Sequence, residues 1–241
     1  MGKENFLKTR WNVGNRRIWE IDFLRAAAII LMVIFHMVFD LNQFLGIDIN
    51  YLSGFWYWEG KVSALIFIFL AGISSGFSRN TVRRGIKVLV FAMAITLVTY
   101  IFYRGQYIRF GILHFLGISM ILFLILKRMN NILLFISAAV IAFTATPLKN
   151  AFAGTSLLLP FGVRYRGFIS LDYYPLSPYL SVFILGIIAY KMYYYKKQSL
   201  FKFCYKNEHI SMISKGSLAI YLIHQPIIIA MIFLFRFMLK S

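Results

Sequence analysis

One cysteine, Cys204, stands in 241 residues. A lone cysteine excludes an intramolecular disulfide and any zinc site built on paired cysteines, and it leaves the redox compartment unread. Acidic residues are also scarce, with 8 Asp and Glu against 26 Lys and Arg, and charged residues make up only 14% of the chain. Soluble domains carry roughly 25%. No Pro-, Gly- or Ser-rich linker and no internal repeat divides the sequence, so a single domain is expected over residues 1–241. A Walker loop, a dinucleotide fingerprint and an HExxH helix are absent too, so no motif names a metal, and none is expected.

The chain is rich in apolar side chains, 60% hydrophobic and 18% aromatic, the balance of a polytopic membrane protein. Its formal net charge of +18 does not point to nucleic acid, because the basic residues sit in short clusters between apolar runs. Such clusters set orientation in a membrane. A bilayer core needs about 20 apolar residues as helix, and candidate spans lie at 18–40, 60–78, 86–103, 110–127, 131–147, 177–195 and 213–238. The expected fold is therefore all-α, a transmembrane helical bundle of about seven spans in the plasma membrane, its surface covered by lipid. The first run is too long for a signal-peptide core and lacks a small-residue cleavage site, so it is expected to be retained.

Lys and Arg concentrate in alternate connections: the basic segment 1–17 with Arg16 and Arg17, then Arg79, Arg83, Arg84 and Lys87, then Lys127 and Arg128, then Lys191, Lys196 and Lys197. This places the N-terminus in the cytoplasm. The first outer connection and the 148–176 segment are short, apolar and aromatic, and are expected to lie on or dip into the outer surface. "KMYYYKK" reads as an inner aromatic belt with basic anchors.

The first span, "WEIDFLRAAAIILMVIFHMVFD", carries Glu20, Asp22, Arg25, His36 and Asp40. At about 100° per residue, Asp22, Arg25, His36 and Asp40 share one narrow stripe while Glu20 falls off it and reads as an interface residue. Ionisable groups inside a bilayer usually face a cavity or each other. His36 and Asp40 are i and i+4, a spacing that lets a carboxylate hold one imidazole nitrogen and leave the other as a base. Arg25 lies roughly 16 Å along the helix from His36. A cation deep inside and a base near the outer surface suggest an elongated ligand threaded across the membrane.

His114, near the outer end of the fourth span, reads equally as a second site histidine or as an interhelical hydrogen bond. Asp172 and Glu59 are placed at the outer surface, facing a polar substrate or water, with Asp172 favoured because Pro175 and Pro178 stiffen its connection. Pro226 cannot donate to the carbonyl of residue 222, so the last span should kink there. His224 and Gln225 are assigned to that kink and its packing.

"EIDFLRAAAIILMVIFH" resembles the R-x10-H signature in the first helix of the acyltransferase-3 membrane acyltransferases. With "FIFLAGISSGFS", "FGILHFLGIS", "LDYYPLSPYLSVFILGI" and "GSLAIYLIHQPI" following in order, nearly the whole chain resembles the bacterial branch of the heparan-α-glucosaminide N-acetyltransferase catalytic-domain family. The resemblance implies a multi-span enzyme that takes acetyl from acetyl-CoA in the cytosol and delivers it across the membrane to a sugar amine or hydroxyl. His36 would then be the base, with Asp40 orienting it, and His36 or His114 would stand in for the family's luminal-loop histidine. Asp22, Arg25 and Asp172 would bind donor or acceptor, and Arg83 and Arg84 would meet coenzyme phosphates if they do more than set orientation. Two departures stand out: residues 41–58 contain no histidine where the lysosomal enzyme has one in its luminal loop, and "RAAAI" replaces the commoner Arg-Gly. The acceptor, a cell-envelope sugar or glycolipid, is therefore not fixed. Self-association into a homo-oligomer stays open. The rival reading is a non-enzymatic carrier that moves a lipid-linked or anionic solute along the same stripe, and a purely structural subunit would leave the stripe unexplained.

Overall fold

The structure is a computed structural model that describes residues 18–201 and 207–238. The basic segment 1–17, Lys202, Cys204, Lys206 and Lys240 lie outside the described residues. Helix α1 (Trp19–Leu45) is followed by α2 (Gly54–Phe77), α3 (Thr81–Phe102), α4 (Ile112–Leu126), α5 (Asn131–Phe143) and the short α6 (Ala145–Asn150). A 3-10 turn at Ser156–Phe161 precedes α7 (Leu176–Ala189), which continues as a π-helical turn through Tyr194, and α8 (Glu208–Lys215) leads into α9 (Ser217–Met238). Among the described residues no strand forms, and only isolated bridges at Phe110 with Tyr173 and Phe152 with Arg164 interrupt the helical pattern.

Six helical stretches are long and apolar enough to cross a membrane, with α5 and α6 counted as one. Their outer faces carry exposed Val90, Leu97, Ile101, Ile132, Phe143 and Leu234, a surface that water would not tolerate and that acyl chains solvate. The protein is a membrane-embedded all-α bundle. The fourth expected span is the exception: α4 is only fifteen residues, about 22 Å at the helical rise, short of a hydrocarbon core of about 30 Å. It is buried on nearly every side, from Ile112 through Phe123. A helix that is apolar all round belongs to the interior, and in sequence such a helix looks like a lipid-facing span.

Helix α4 packs on α3, α2 on α1 and α7, and α5 on α7, while α1 also meets α8 and α9. Ile68, Phe115, Leu134, Phe183, Ile184 and Ile187 form the sealed centre. Gly72 and Gly186 let the backbones of α2 and α7 touch, since a Cβ on Gly186 would stand 3.0 Å from the Gly72 Cα. Close backbone approach through small residues is a common packing device of membrane helices.

Two expectations for the polar edges change. Glu20 does more than mark an interface, because it is buried: its carboxylate accepts from the Ser199 hydroxyl at 2.9 Å and the Leu200 N–H at 2.8 Å, so it pins the chain that follows α7 against the start of α1. The "KMYYYKK" run is only partly a belt. Tyr193 and Tyr195 are exposed, but Tyr194 is buried and Lys191 donates to the Met129 carbonyl.

Candidate functional site: a cavity at the far end of the bundle

The stripe on α1 divides in two. At the end where α1 begins, Arg25 donates to Ser74 on α2 and to Ser214 on α8 at 3.1 Å, and Ser214 in turn donates to Asp22 at 2.7 Å. Asp22 and Arg25 stand 3.8 Å apart. These groups tie three helices together, and none of them reaches the large cavity.

That cavity, about 540 Å³, lies between the far halves of α1 and α2 and the loops that cover them. Its floor is Ala28 and Ile29, one helical turn above Arg25, and His36 stands in its wall. Opposite, Lys61 donates to the Tyr179 hydroxyl at 2.7 Å and lies 5.4 to 5.8 Å from the rings of Tyr57, Tyr174 and Tyr179. The strap 169–174 closes the remaining side. It is held by the Tyr174 N–H on the Phe110 carbonyl at 3.0 Å and by Ser170, which donates to the Tyr107 carbonyl at 3.1 Å. An apolar cleft with a few convergent polar groups is the usual form of a small-molecule site.

His36 and Asp40 do not bond to each other. Asp40 is fully buried, and both its oxygens accept from Gln225 Nε2 on α9, at 2.8 and 2.9 Å. The His36 ring instead faces His224 on α9, centroids 4.9 Å apart. Residues assigned from sequence to the Pro226 kink therefore meet both polar residues in the outer half of the α1 stripe.

A model of the family described as heparan-alpha-glucosaminide N-acetyltransferase, catalytic, matches residues 17–226. The chain belongs to this family. No curated protein and no solved structure matches the chain. The family match takes in the whole cavity wall and stops at Pro226, immediately after His224 and Gln225, which meet the polar stripe of α1.

The other expected site residues divide between cavity and scaffold. Asp172 lines the cavity, and its Oδ2 accepts from the Ile112 N–H at 2.8 Å, capping α4. His114 is held within the bundle: its Nδ1 accepts from the Gly111 N–H at 3.3 Å, which leaves the proton on Nε2, 3.2 Å from the Thr96 hydroxyl. Thr96 passes its own proton to the Ile108 carbonyl, so the ring bridges α3 and α4. Glu59 is buried, and neither of its oxygens has a hydrogen-bond partner in the structure. Arg83 and Arg84 are exposed at the start of α3, at the end away from the cavity. Among the described residues no group of His, Cys, Asp and Glu could hold a metal ion.

Lys61 and its tyrosines were missed by motif reading. A signal was present: Tyr57, Lys61 and Ala64 repeat at i, i+4 and i+7, a single helical face, and that face lines the cavity.

Burial pushes the Asp172 carboxyl up to about 6, against the opposing pull of the Ile112 N–H and the Lys61 ammonium. The folded chain then holds a proton that the unfolded chain has already lost. The stability this group contributes is full below about pH 3.9, its unfolded value, and is lost as pH rises through about 6. Asp172→Asn keeps an acceptor for Ile112 and cannot ionise, so it is expected to flatten that part of the melting-temperature profile in detergent between about pH 4 and about pH 7. An unchanged slope would show that Asp172 is not the group titrating.

Proposed function

We propose that this chain is a plasma-membrane acetyltransferase that takes acetyl from acetyl-CoA and transfers it to an amine or hydroxyl of a cell-envelope sugar or lipid-linked glycan. The observation that carries this reading is His36: it stands in the wall of a cavity of about 540 Å³ with no hydrogen bond to Asp40 to occupy its ring. A base must reach the proton it removes. His36 would take that proton as the acceptor nitrogen or oxygen attacks the thioester carbonyl, and the sulfur would leave with the coenzyme. Tyr57 and Tyr174 offer faces on which a sugar ring can lie, and Asp172 and Lys61 offer an acceptor and a donor to its polar groups.

The donor would approach from the end where Arg83 and Arg84 present cations. Its acyl end would enter the cavity at Ala28 and Ile29, just above Arg25. The Arg25 bonds to Ser74 and Ser214 lie across that approach, so admitting a pantetheine arm requires α8 to yield at Ser214.

The test uses the full chain in proteoliposomes with radiolabelled acetyl-CoA and a panel of amino sugars and hydroxylated glycans. Label on an acceptor, with free coenzyme released, is the expected result. Wild-type protein that is folded yet neither binds acetyl-CoA nor releases free coenzyme would end the acetyltransferase reading, and solute uptake without transfer would establish the carrier.

A further inference from the structure

Two buried nitrogens face an unusual situation at the contact of α1 and α9. His36 Nδ1 and His224 Nε2 are both inaccessible and both lack a hydrogen-bond partner in the structure. Their rings lie with centroids 4.9 Å apart. Buried polar atoms are ordinarily paired, and at this point each ring carries the partner that the other lacks.

Proton bookkeeping fixes the direction of the missing bond. His224 Nδ1 lies 2.7 Å from the Tyr221 carbonyl. A carbonyl only accepts, so that nitrogen carries the proton and Nε2 of a neutral His224 carries a lone pair. If His36 is to pair with that lone pair, its own proton must sit on Nδ1, which leaves Nε2 as the basic nitrogen for the cavity that His36 lines.

We propose that His224 is the positioning residue of His36: by accepting from Nδ1–H it holds the imidazole in the one neutral tautomer whose Nε2 can act as base. This rests on His36 being the base. When Nε2 takes the acceptor's proton, the bond from Nδ1–H to His224 strengthens, because its donor now belongs to an imidazolium. The proton stays on His36 until the leaving thiolate or water collects it, and His224 keeps its own proton on the Tyr221 carbonyl throughout. Asp40 and Gln225 act one step further out. Asp40 lies one turn beyond His36 and Gln225 follows His224, so their two hydrogen bonds at 2.8 and 2.9 Å lock the register that brings the rings together.

The experiment compares wild type, His224→Gln and His224→Leu as full chains in nanodiscs labelled with 15N-histidine. Glutamine can accept from His36 through Oε1 and donate to the Tyr221 carbonyl, whereas leucine can do neither. Wild type and His224→Gln are expected to show His36 as the Nδ1–H tautomer, and His224→Leu to show that signal shift or split. With acetyl-CoA as donor, His224→Leu is expected to lower kcat about 100-fold with the KM for acetyl-CoA within about twofold, and His224→Gln to recover most of the loss. A wild-type His36 protonated on Nε2, or a His36 signal that neither variant moves, overturns the proposal even if transfer is absent. Wild type that holds the expected tautomer but transfers nothing to any acceptor counts against the acetyltransferase reading and leaves the histidine pair standing. If His224→Leu does not fold, the wild-type signal alone decides: His36 protonated on Nδ1 supports the proposal and His36 protonated on Nε2 overturns it.

Discussion

His36→Ala is expected to lower acetyl transfer by about 10²–10⁴-fold, the range that a positioned general base contributes, with little change in thermal stability. The second half of that expectation comes from the structure. Apart from the one bond proposed between its Nδ1–H and His224, the side chain makes no hydrogen bond that its removal would break, and it sits at the wall of a cavity from which solvent can reach the space it leaves. The ring contacts with Phe35 and His224 are lost with it. Initial rates with labelled acetyl-CoA, set beside melting curves in the same detergent, separate the two effects. Equal rates in the variant would remove His36 from the chemistry and turn attention to Asp172 and Lys61, the carboxyl and ammonium groups lining the cavity.

The conservative variant sharpens that expectation. His36→Gln keeps volume and polarity but offers no ring nitrogen of suitable basicity, so it is expected to behave as the alanine variant does in kcat. A glutamine variant that restored transfer would mean that the position orients the acceptor without taking its proton.

The sequence made the apolar spans legible because lipid-facing helices are long and uniformly greasy, and six of the seven expected spans return as crossing helices. It could not distinguish α4, since burial in protein and burial in lipid select the same side chains. The stripe on α1 was visible as a periodicity, but periodicity says which residues share a face and nothing about what meets them. Asp40 has a histidine one turn away in sequence and takes a glutamine 185 residues away instead. Arg25 likewise finds Ser214, 189 residues distant. The partners of Glu20 were hidden for the same reason: Ser199 and Leu200 belong to the connection that follows α7, about 180 residues along the chain. His224 and Gln225 were read through Pro226, a local signal that predicts a kink and says nothing of the contacts both side chains make with α1.

The pairing of Asp40 with Gln225 carries the second large expectation, and it concerns stability. Asp40 is fully buried, and Gln225 Nε2 supplies the hydrogen bonds to its two oxygens. Gln225→Leu removes that donor and leaves a buried carboxyl group, so it is expected to destabilise the chain by about 3 kcal/mol, within the range for buried hydrogen bonds to charged or strongly polar groups. Asp40→Leu removes the group that needs a partner, and strands only a neutral amide, so its cost should be smaller. The double variant, Asp40→Leu with Gln225→Leu, replaces both partners by apolar groups of similar size and should be less destabilised than the sum of the singles by about 1 to 3 kcal/mol. Unfolding midpoints in mixed micelles measure all four corners of the cycle. Strictly additive losses would show that the two side chains are neighbours without coupling, and the register of α9 against α1 would then have to rest on apolar packing alone.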